Sequence, residues 1–395
     1  MAPRPVVRHQ HSDAGERPFI VIWESTQACP LACVHCRASA QHHRDPGELT
    51  TAEAVELMGQ VASFGAPPPL FIITGGDPFQ RPDLVELVRA GTAAGLPVAV
   101  SPSGTPTLTA DALAGLHEAG ARAISLSLDG STAQVHDSFR RVEGVFDLTL
   151  AGWRAAREIG LRVQINTTVT RHNLLDLPNI AALVQRMGAL TWSGFFLVPT
   201  GRGAELGSLS PDEVEDILNW LYDMGTALPT KTTETHHFRR VVLQRQILAA
   251  RGEDPVAVLG LGELYQTLRR RADELGLLSG QERRRRAPMD VNAGRGFVFI
   301  SHRGAVHPSG FLPTPAGNVR ETPLPQIYRE SELFTALRDP RRLGGRCGAC
   351  EFAGVCGGSR SRAYAVTGDP FAEEPWCDYA PGSFPYQDDL AALLR

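Results

Sequence analysis

The sequence lacks cysteine over most of its length. No cysteine occurs in residues 37–346, although free cysteine is a common filler of protein cores. All seven cysteines fall in two tight groups, at residues 29–36 and 347–377. An odd total argues against a disulfide framework, as does a reducing compartment. Cysteines confined to two groups favour metal binding instead.

Other common features are missing as well. No apolar run approaches the length of a membrane span. The formal net charge of −4 and the pI of about 6.3 lack the basic excess typical of nucleic-acid binders. Residues 1–17 are polar and lack the apolar stretch of a signal peptide. We therefore expect a cytoplasmic protein with a flexible tail over residues 1–17, and no nucleic-acid or membrane partner.

Apolar runs alternate with amphipathic stretches over residues 18–226. The runs predict six strands, at residues 19–23, 70–74, 97–101, 123–129, 162–169 and 194–198. The amphipathic stretches predict helices between them, at residues 51–64, 82–94, 110–119, 147–159 and 174–187. Strands separated by helices of this length form right-handed parallel units. The pattern predicts an α/β fold class, with an incomplete (β/α)6 barrel over residues 18–226.

The rest of the chain reads as two further segments. Residues 227–295 predict a helical connector that ends in an Arg-rich loop, and residues 296–395 predict a small loop-rich domain. Within that domain we expect a short hairpin near residues 297–307 and a helix at residues 325–337. We interpret the arginine run at residues 283–286 as solvated and the pair His236-His237 as surface or core filler of a helix; for either feature the alternative is recognition of a carboxylate-rich substrate.

The first cysteine group has the spacing Cys29-x3-Cys33-x2-Cys36 and follows the first predicted strand directly. Three thiolates on one loop can hold three irons of a 4Fe–4S cube, which leaves the fourth iron open to a small molecule. Structural zinc takes four ligands, and His35, a candidate for the fourth, adjoins Cys36 and is badly placed. The spacing therefore favours an iron–sulfur cluster over zinc.

This loop, placed after the first strand of a β/α array, resembles the signature of the radical S-adenosylmethionine (SAM) superfamily. The resemblance implies an oxidoreductase or lyase whose open iron chelates SAM. One electron then cleaves SAM to methionine and a 5′-deoxyadenosyl radical, which abstracts hydrogen from a substrate. It also implies a reductase partner such as flavodoxin or ferredoxin, and contact of His35 with the adenine.

Conspicuous polar and glycine residues follow most of the predicted strands, where reactive groups of β/α barrels gather. The stretch Gly75-Gly76-Asp77-Pro78 resembles the Gly-Gly-Glu-Pro motif of the family, which implies that Asp77 accepts from the cofactor ammonium. Alone it would be an Asp-Pro turn. Asp129 is read either as a ribose ligand or as a turn residue before glycine, and Arg140 as a partner of the cofactor carboxylate or as a solvated helix end. The predicted cofactor-binding set is His35, Gly75, Gly76, Asp77, Pro78, Ser103, Ser127, Asp129, Arg140, Asn166, Thr168, Pro199 and Arg202.

The second group, Cys347-x2-Cys350-x5-Cys356-x20-Cys377, provides four thiolates. By itself it would suit zinc. With the first motif, it resembles the SPASM extension of radical enzymes, which carries seven cysteines and two auxiliary clusters. Here the positions for the inner cluster lack cysteine, and Arg360 stands at one of them. The resemblance implies one auxiliary 4Fe–4S cluster held by all four cysteines, within a small loop-rich iron–sulfur domain.

The substrate is less defined than the cofactors. The chain resembles radical enzymes of the alternative heme pathways, which modify tetrapyrrole side chains, and this implies a tetrapyrrole substrate. The alternative is a peptide-modifying maturase of the mycofactocin type, since residues 165–173 are similar in style to both groups. A third hypothesis is a non-catalytic iron–sulfur or zinc protein that has kept the fold.

Overall fold

A computed structural model describes residue 7 and residues 13–279, 285 and 287–394. Most of the predicted tail lies outside these residues. So does most of the arginine run in the predicted Arg-rich loop.

Ten strands in the described part of the chain form one sheet in the order β10-β9-β8-β1-β2-β3-β4-β5-β6-β7. The strands are β1 Ile20–Glu24, β2 Leu70–Thr74, β3 Val98–Val100, β4 Ala123–Ser127, β5 Arg162–Val169, β6 Thr191–Phe196, β7 Thr230–Thr233, β8 Phe297–Ile300, β9 Ala305–His307 and β10 Gly317–Asn318. From β8 through β1 to β7 every neighbouring pair is parallel. The predicted α/β class with a parallel sheet is confirmed.

The helices of the described residues are α1 Thr51–Ala62, α2 Leu84–Ala93, α3 Ala110–Glu118, α4 Ala133–Arg140, α5 Val145–Glu158, α6 Leu177–Met187, α7 Pro211–Met224, α8 Phe238–Arg251, α9 Pro255–Leu259, α10 Glu263–Glu274, α11 Leu324–Glu330, α12 Glu332–Arg338, α13 Gly345–Ala349, α14 Arg360–Thr367 and α15 Gln387–Leu394. Helices α1 to α10 lie between strands along the chain, and α11 to α15 follow the last strand. The capping box predicted at Thr50 and Glu53 begins α1. Ser210 and Glu213 form a second one at α7.

The parallel part of the sheet is longer than the six strands predicted from the sequence. β7 pairs with β6 and lies inside the segment predicted as a helical connector. Its sequence, Thr-Lys-Thr-Thr, contains no apolar residue, so hydrophobic periodicity gave no strand signal. β8 pairs with β1, so a strand expected in the hairpin of the C-terminal domain extends the barrel sheet. That hairpin exists, because β9 pairs antiparallel with β8.

The main core lies between the sheet and its helices. Trp23, Phe71 and Trp153 are fully buried there, and Trp192 packs edge to face on Trp220 of α7 at 6.0 Å between ring centroids. Because side chains alternate along a strand, the opposite side chains face the barrel interior. Across the described ranges, no helix combines the length and apolarity needed to cross a bilayer. The carboxyl ends of the parallel strands meet at one edge, where the first cysteine group lies.

Candidate active site and second cysteine site

The loop after β1 carries the first cysteine group. Its ends are tied together, since the N–H of Cys29 donates to the carbonyl of Gln41 at 2.7 Å and the N–H of Gln41 donates to the carbonyl of Gln27 at 3.0 Å. Cys29 and Cys33 are buried and Cys36 is half-buried within one small apolar cluster. The fold therefore gathers the three thiols on one short loop.

The Gly75-Gly76 step lets the loop after β2 lie directly against this cysteine loop. The N–H of Asp77 donates to the carbonyl of Ala28 at 2.8 Å. A Cβ at Gly76 would lie 2.5 Å from that carbonyl oxygen and 2.8 Å from the Cβ of Cys29. Any side chain at this position would displace the cysteine loop, so close backbone approach explains the glycines.

Asp77 joins the loops after β2 and β3. Its carboxylate is fully buried and accepts hydrogen bonds from the hydroxyl groups of Thr105 at 2.9 Å and Thr107 at 3.3 Å. It also caps the short 3-10 turn that begins at Pro78. The hydroxyl of Ser103 donates to the carbonyl of Gly76 at 2.9 Å. These bonds position the backbone beside the cysteines, and contact of Asp77 with a cofactor ammonium stays a prediction.

Two residues predicted to bind the cofactor pair with each other. Arg140, at the end of α4, forms a buried salt bridge with Asp129, which follows β4. The N–H of Thr168 donates to the other carboxylate oxygen of Asp129 at 2.7 Å. Burial raises the pKa of Asp129, but the facing guanidinium outweighs it and the pKa lies below its ordinary value. The pair stays ionised and holds Arg140 Nη1 at 3.6 Å from Cys33 Sγ.

The turn after β6, which follows Pro199, braces the cysteine loop from the opposite side. The N–H of Arg202 donates to the carbonyl of Cys36 at 3.0 Å, and its Nε donates to the carbonyl of Cys33 at 2.9 Å. Arg202 Nη2 is buried and has no hydrogen-bond partner among the described residues. An orphaned guanidinium nitrogen beside the cysteines fits the carboxylate of an amino-acid ligand.

His35 lies within the cysteine loop and stacks on Phe139, with ring centroids 4.5 Å apart. Burial and the neighbouring charge of Arg140 lower the pKa of His35 to about 3, so its ring is neutral. Its Nδ1 is buried without a partner in the described part of the chain. A neutral ring with an unused nitrogen fits a heteroaromatic ligand such as adenine.

Ser127 and Asn166 lie opposite each other on β4 and β5. Their chain neighbours Leu126 and Ile165 are fully buried in the core, so the two polar side chains face the barrel interior. Gln164 donates its side-chain N–H to the side-chain oxygen of Asn166 at 2.7 Å. The predicted polar residues of these strands therefore share one interior face below the cysteine loop.

The residues of this site fit a 4Fe–4S cluster and SAM. Three thiols lie together, and orphaned polar nitrogens lie beside them. Burial raises the pKa of the Cys29 thiol to about 11, so the free thiol is protonated at neutral pH. Metal binding therefore has to release that proton. A three-cysteine cluster supplies an open iron and an electron.

The four cysteines of the second group line one cavity, together with His237, Arg240, Phe352 and Tyr379. Backbone N–H groups point at two of the sulfurs. Glu374 donates to Cys347 Sγ at 3.3 Å and Gly358 donates to Cys356 Sγ at 3.4 Å. Such N–H···S bonds are a feature that tunes iron–sulfur clusters.

The sulfur arrangement bears on the choice between zinc and a cluster. Structural zinc takes four donors at about 2.0–2.3 Å from one point. A 4Fe–4S cube also takes four thiolates. Four thiols around one shared cavity can supply the ligands of either group.

Several residues of the second site carry no functional signal in the sequence. Arg240 and Arg360 are buried and approach the cysteine sulfurs, and both ring nitrogens of His237 are buried without a partner among the described residues. The sequence indicates Arg360 only as a position that lacks a cysteine, and His237 only as filler. Their proximity to the cysteines depends on how α8 and α14 pack, which no local pattern indicates.

Comparison with known proteins identifies the family. A family model described as the radical SAM superfamily matches residues 23–184. The AdoMet-dependent heme synthase of Methanosarcina barkeri (strain Fusaro / DSM 804) is 41% identical over 92% of this chain and 97% of that protein. The chain belongs to the radical SAM superfamily. It is therefore an enzyme that uses a 4Fe–4S cluster to cleave SAM reductively to a 5′-deoxyadenosyl radical, which abstracts hydrogen from a substrate.

Two further proteins resemble this radical SAM enzyme. The mycofactocin maturase MftC of Mycobacterium tuberculosis (strain CDC 1551 / Oshkosh) is 29% identical over 95% of this chain and 87% of that protein. The structure of Streptococcus suis SuiB bound to S-adenosylmethionine superposes with a TM-score of 0.64 at 12% identity, covering 94% of this chain and 78% of that chain. At that identity the superposition supports the fold alone.

Proposed function

We propose that this enzyme modifies a carboxylate-bearing side chain of a tetrapyrrole in the cytoplasm, as an AdoMet-dependent heme synthase. One observation carries the proposal. The 41% identity to the heme synthase extends over nearly the whole length of both chains. The similarity therefore extends into the C-terminal part of the chain as well as over the barrel.

We assign roles to the residues of the first site from the radical SAM family and from the contacts that these residues make. Cys29, Cys33 and Cys36 hold the SAM-cleaving cluster, and the orphaned nitrogen of Arg202 binds the cofactor carboxylate. His35 contacts the adenine. Asp129 and Arg140 act as one buried pair that positions the cysteine loop, because both oxygens of the carboxylate are already engaged.

We assign a second 4Fe–4S cluster to Cys347, Cys350, Cys356 and Cys377. The four thiols line one cavity and two of them accept backbone N–H···S bonds, and the similarity to a radical SAM enzyme over most of the chain favours a cluster over a zinc ion. Conversion of a propionate side chain to an alkene removes a hydrogen atom, carbon dioxide and one further electron. A cluster fully ligated by protein supplies a one-electron acceptor for such chemistry.

An anaerobic assay tests the proposed substrate. Reconstituted enzyme, SAM and an iron porphyrin with propionate side chains are reduced with dithionite, or with flavodoxin and its reductase. We expect a porphyrin that has lost carbon dioxide and two hydrogens per modified side chain, detected by mass spectrometry, with matching 5′-deoxyadenosine. Release of 5′-deoxyadenosine with unmodified porphyrin would contradict the tetrapyrrole proposal and leave the SAM chemistry intact.

The peptide-modifying alternative is favoured by a different observation. The mycofactocin maturase MftC aligns over nearly the whole chain. This alternative predicts a small precursor peptide encoded beside the gene. It also predicts that such a peptide, and no porphyrin, increases the formation of 5′-deoxyadenosine.

A further inference from the structure

Two buried arginines approach the sulfurs of the second cysteine group. Arg240 Nη2 lies 3.9 Å from Cys377 Sγ, and Arg360 Nη2 lies 3.8 Å from Cys347 Sγ. Arg360 is only 1% exposed. At these distances a guanidinium is in van der Waals contact with the thiolate and interacts with the charge of the bound group.

The charges of the two arginines are balanced differently. Arg240 forms a bidentate ion pair with Glu215, through contacts of 2.9 and 2.6 Å. Arg360 Nη1 donates to the carbonyls of Pro370 at 2.8 Å and Ala372 at 2.7 Å. Among the described residues Arg360 has no carboxylate within ion-pair distance. Its charge therefore acts on the cysteine site without a direct ion-pair partner.

The arginine that contacts a sulfur of the first cysteine group is balanced by a carboxylate. Arg140 lies 3.6 Å from Cys33 Sγ. Its guanidinium forms a buried salt bridge with Asp129. Of the three arginines that approach cysteine sulfurs, Arg360 alone has no ion-pair partner among the described residues.

Net charge, hydrogen bonds to sulfur and solvent exposure set the reduction potential of an iron–sulfur cluster. Reduction adds a negative charge, so a buried, unneutralised cation stabilises the reduced state more than the oxidised state. We infer that Arg360 raises the reduction potential of the C-terminal cluster. A higher potential makes that cluster a better acceptor for an electron leaving the substrate. This inference rests on the proposed C-terminal cluster and does not depend on the identity of the substrate.

A redox titration followed by electron paramagnetic resonance tests the inference on the reconstituted full chain. In Arg360→Met, we expect the equilibrium constant for reduction of the C-terminal cluster to fall at least about tenfold, which is about 59 mV for one electron. The midpoint of the SAM-cleaving cluster should stay unchanged and serves as an internal control. Arg360→Lys keeps the cation and should recover most of the wild-type midpoint. Arg341→Met is the matched control, since Arg341 lies in the same domain but is 88% exposed.

Each outcome bears on the inference. If Arg360→Met loses iron, Arg360→Gln replaces it, because an amide can still donate to the nearby backbone carbonyls. An unchanged C-terminal midpoint in a neutral variant that keeps its iron overturns the inference and leaves the proposed function standing. Loss of the cluster from both neutral variants overturns it too, since Arg360 would then serve assembly. Wild-type protein without a second cluster would refute the proposed cofactor content and this inference together.

Discussion

Gly76→Ala is a direct test of how the loop after β2 supports the cysteine loop. The added Cβ would lie 2.5 Å from the carbonyl oxygen of Ala28, 2.7 Å from that of Gln27 and 2.8 Å from the Cβ of Cys29. All three contacts involve backbone or Cβ atoms, so no side-chain rotation can relieve them. The cysteine loop must move by about 0.5 Å or more to restore normal contact distances.

The cost of this overlap sets the expected size of the effect. Overpacking of a well-packed region costs about 1–3 kcal/mol. Since about 1.4 kcal/mol corresponds to a tenfold change, this cost lowers the population of the cluster-competent loop roughly 5- to 150-fold. The C-terminal cysteines belong to a different part of the fold and should be unaffected.

The assay measures 5′-deoxyadenosine released by dithionite-reduced enzyme, together with iron per chain. We expect Gly76→Ala to lose at least about fivefold in rate and to retain about four irons in the C-terminal cluster. Gly59→Ala is the matched control, because Gly59 lies in α1 with nothing within 4 Å of an added Cβ. That control should be as active as wild type. A Gly76→Ala protein with full iron and an unchanged rate would refute this account of the glycine pair.

Three further predictions concern the second site and two buried ion pairs. Cys377→Ala should lower iron from about eight to about four per chain while sparing SAM cleavage, and retention of eight irons would contradict its role as ligand. His302 lies 3.2 Å from Glu24; burial lowers the pKa of His302, but the hydrogen bonds that it donates to the carboxylates of Glu24 and Asp45 outweigh burial and raise it. The stabilisation that this ion pair gives the folded protein is therefore present below about pH 6.5 and lost as the pH rises through the folded pKa of His302. His302→Gln should lower Tm more at pH 6 than at pH 9. An equal loss of Tm at both pH values would contradict the pairing. Arg140→Gln leaves Asp129 buried and unpaired, and should lower the free energy of unfolding in urea by about 3–5 kcal/mol. The double variant Arg140→Gln with Asp129→Asn should recover part of this loss. Losses that add in the double variant would refute the pairing.

The sequence was sufficient to predict the elements of the barrel that carry apolar periodicity. All six predicted strands and the helices between them occur within a few residues of their expected bounds. β7 was missed because its Thr-Lys-Thr-Thr sequence lacks the apolar residues on which the prediction relied. The pairing of β8 with β1 joins residues nearly three hundred positions apart, and local patterns carry no information on such contacts.

The site was predictable where spacing along the chain determines it. The three cysteines of one loop and the glycines at the end of β2 follow from short motifs. The pairing of Asp129 with Arg140 depends on how α4 lies relative to the end of β4, which no local pattern indicates, and it is the basis on which we propose a supporting role for both residues. The arginines around the second group come from helices distant in sequence, so only the folded chain brings them to the sulfurs.

The central claim is that the first cysteine group holds a cluster that cleaves SAM. Anaerobically reconstituted wild-type protein and a variant with Cys29, Cys33 and Cys36 changed to alanine are each incubated with SAM and dithionite. We predict 5′-deoxyadenosine from the wild type, none from the variant, and a fall from about eight to about four irons per chain. Formation of 5′-deoxyadenosine by the triple variant at the wild-type rate would contradict the account.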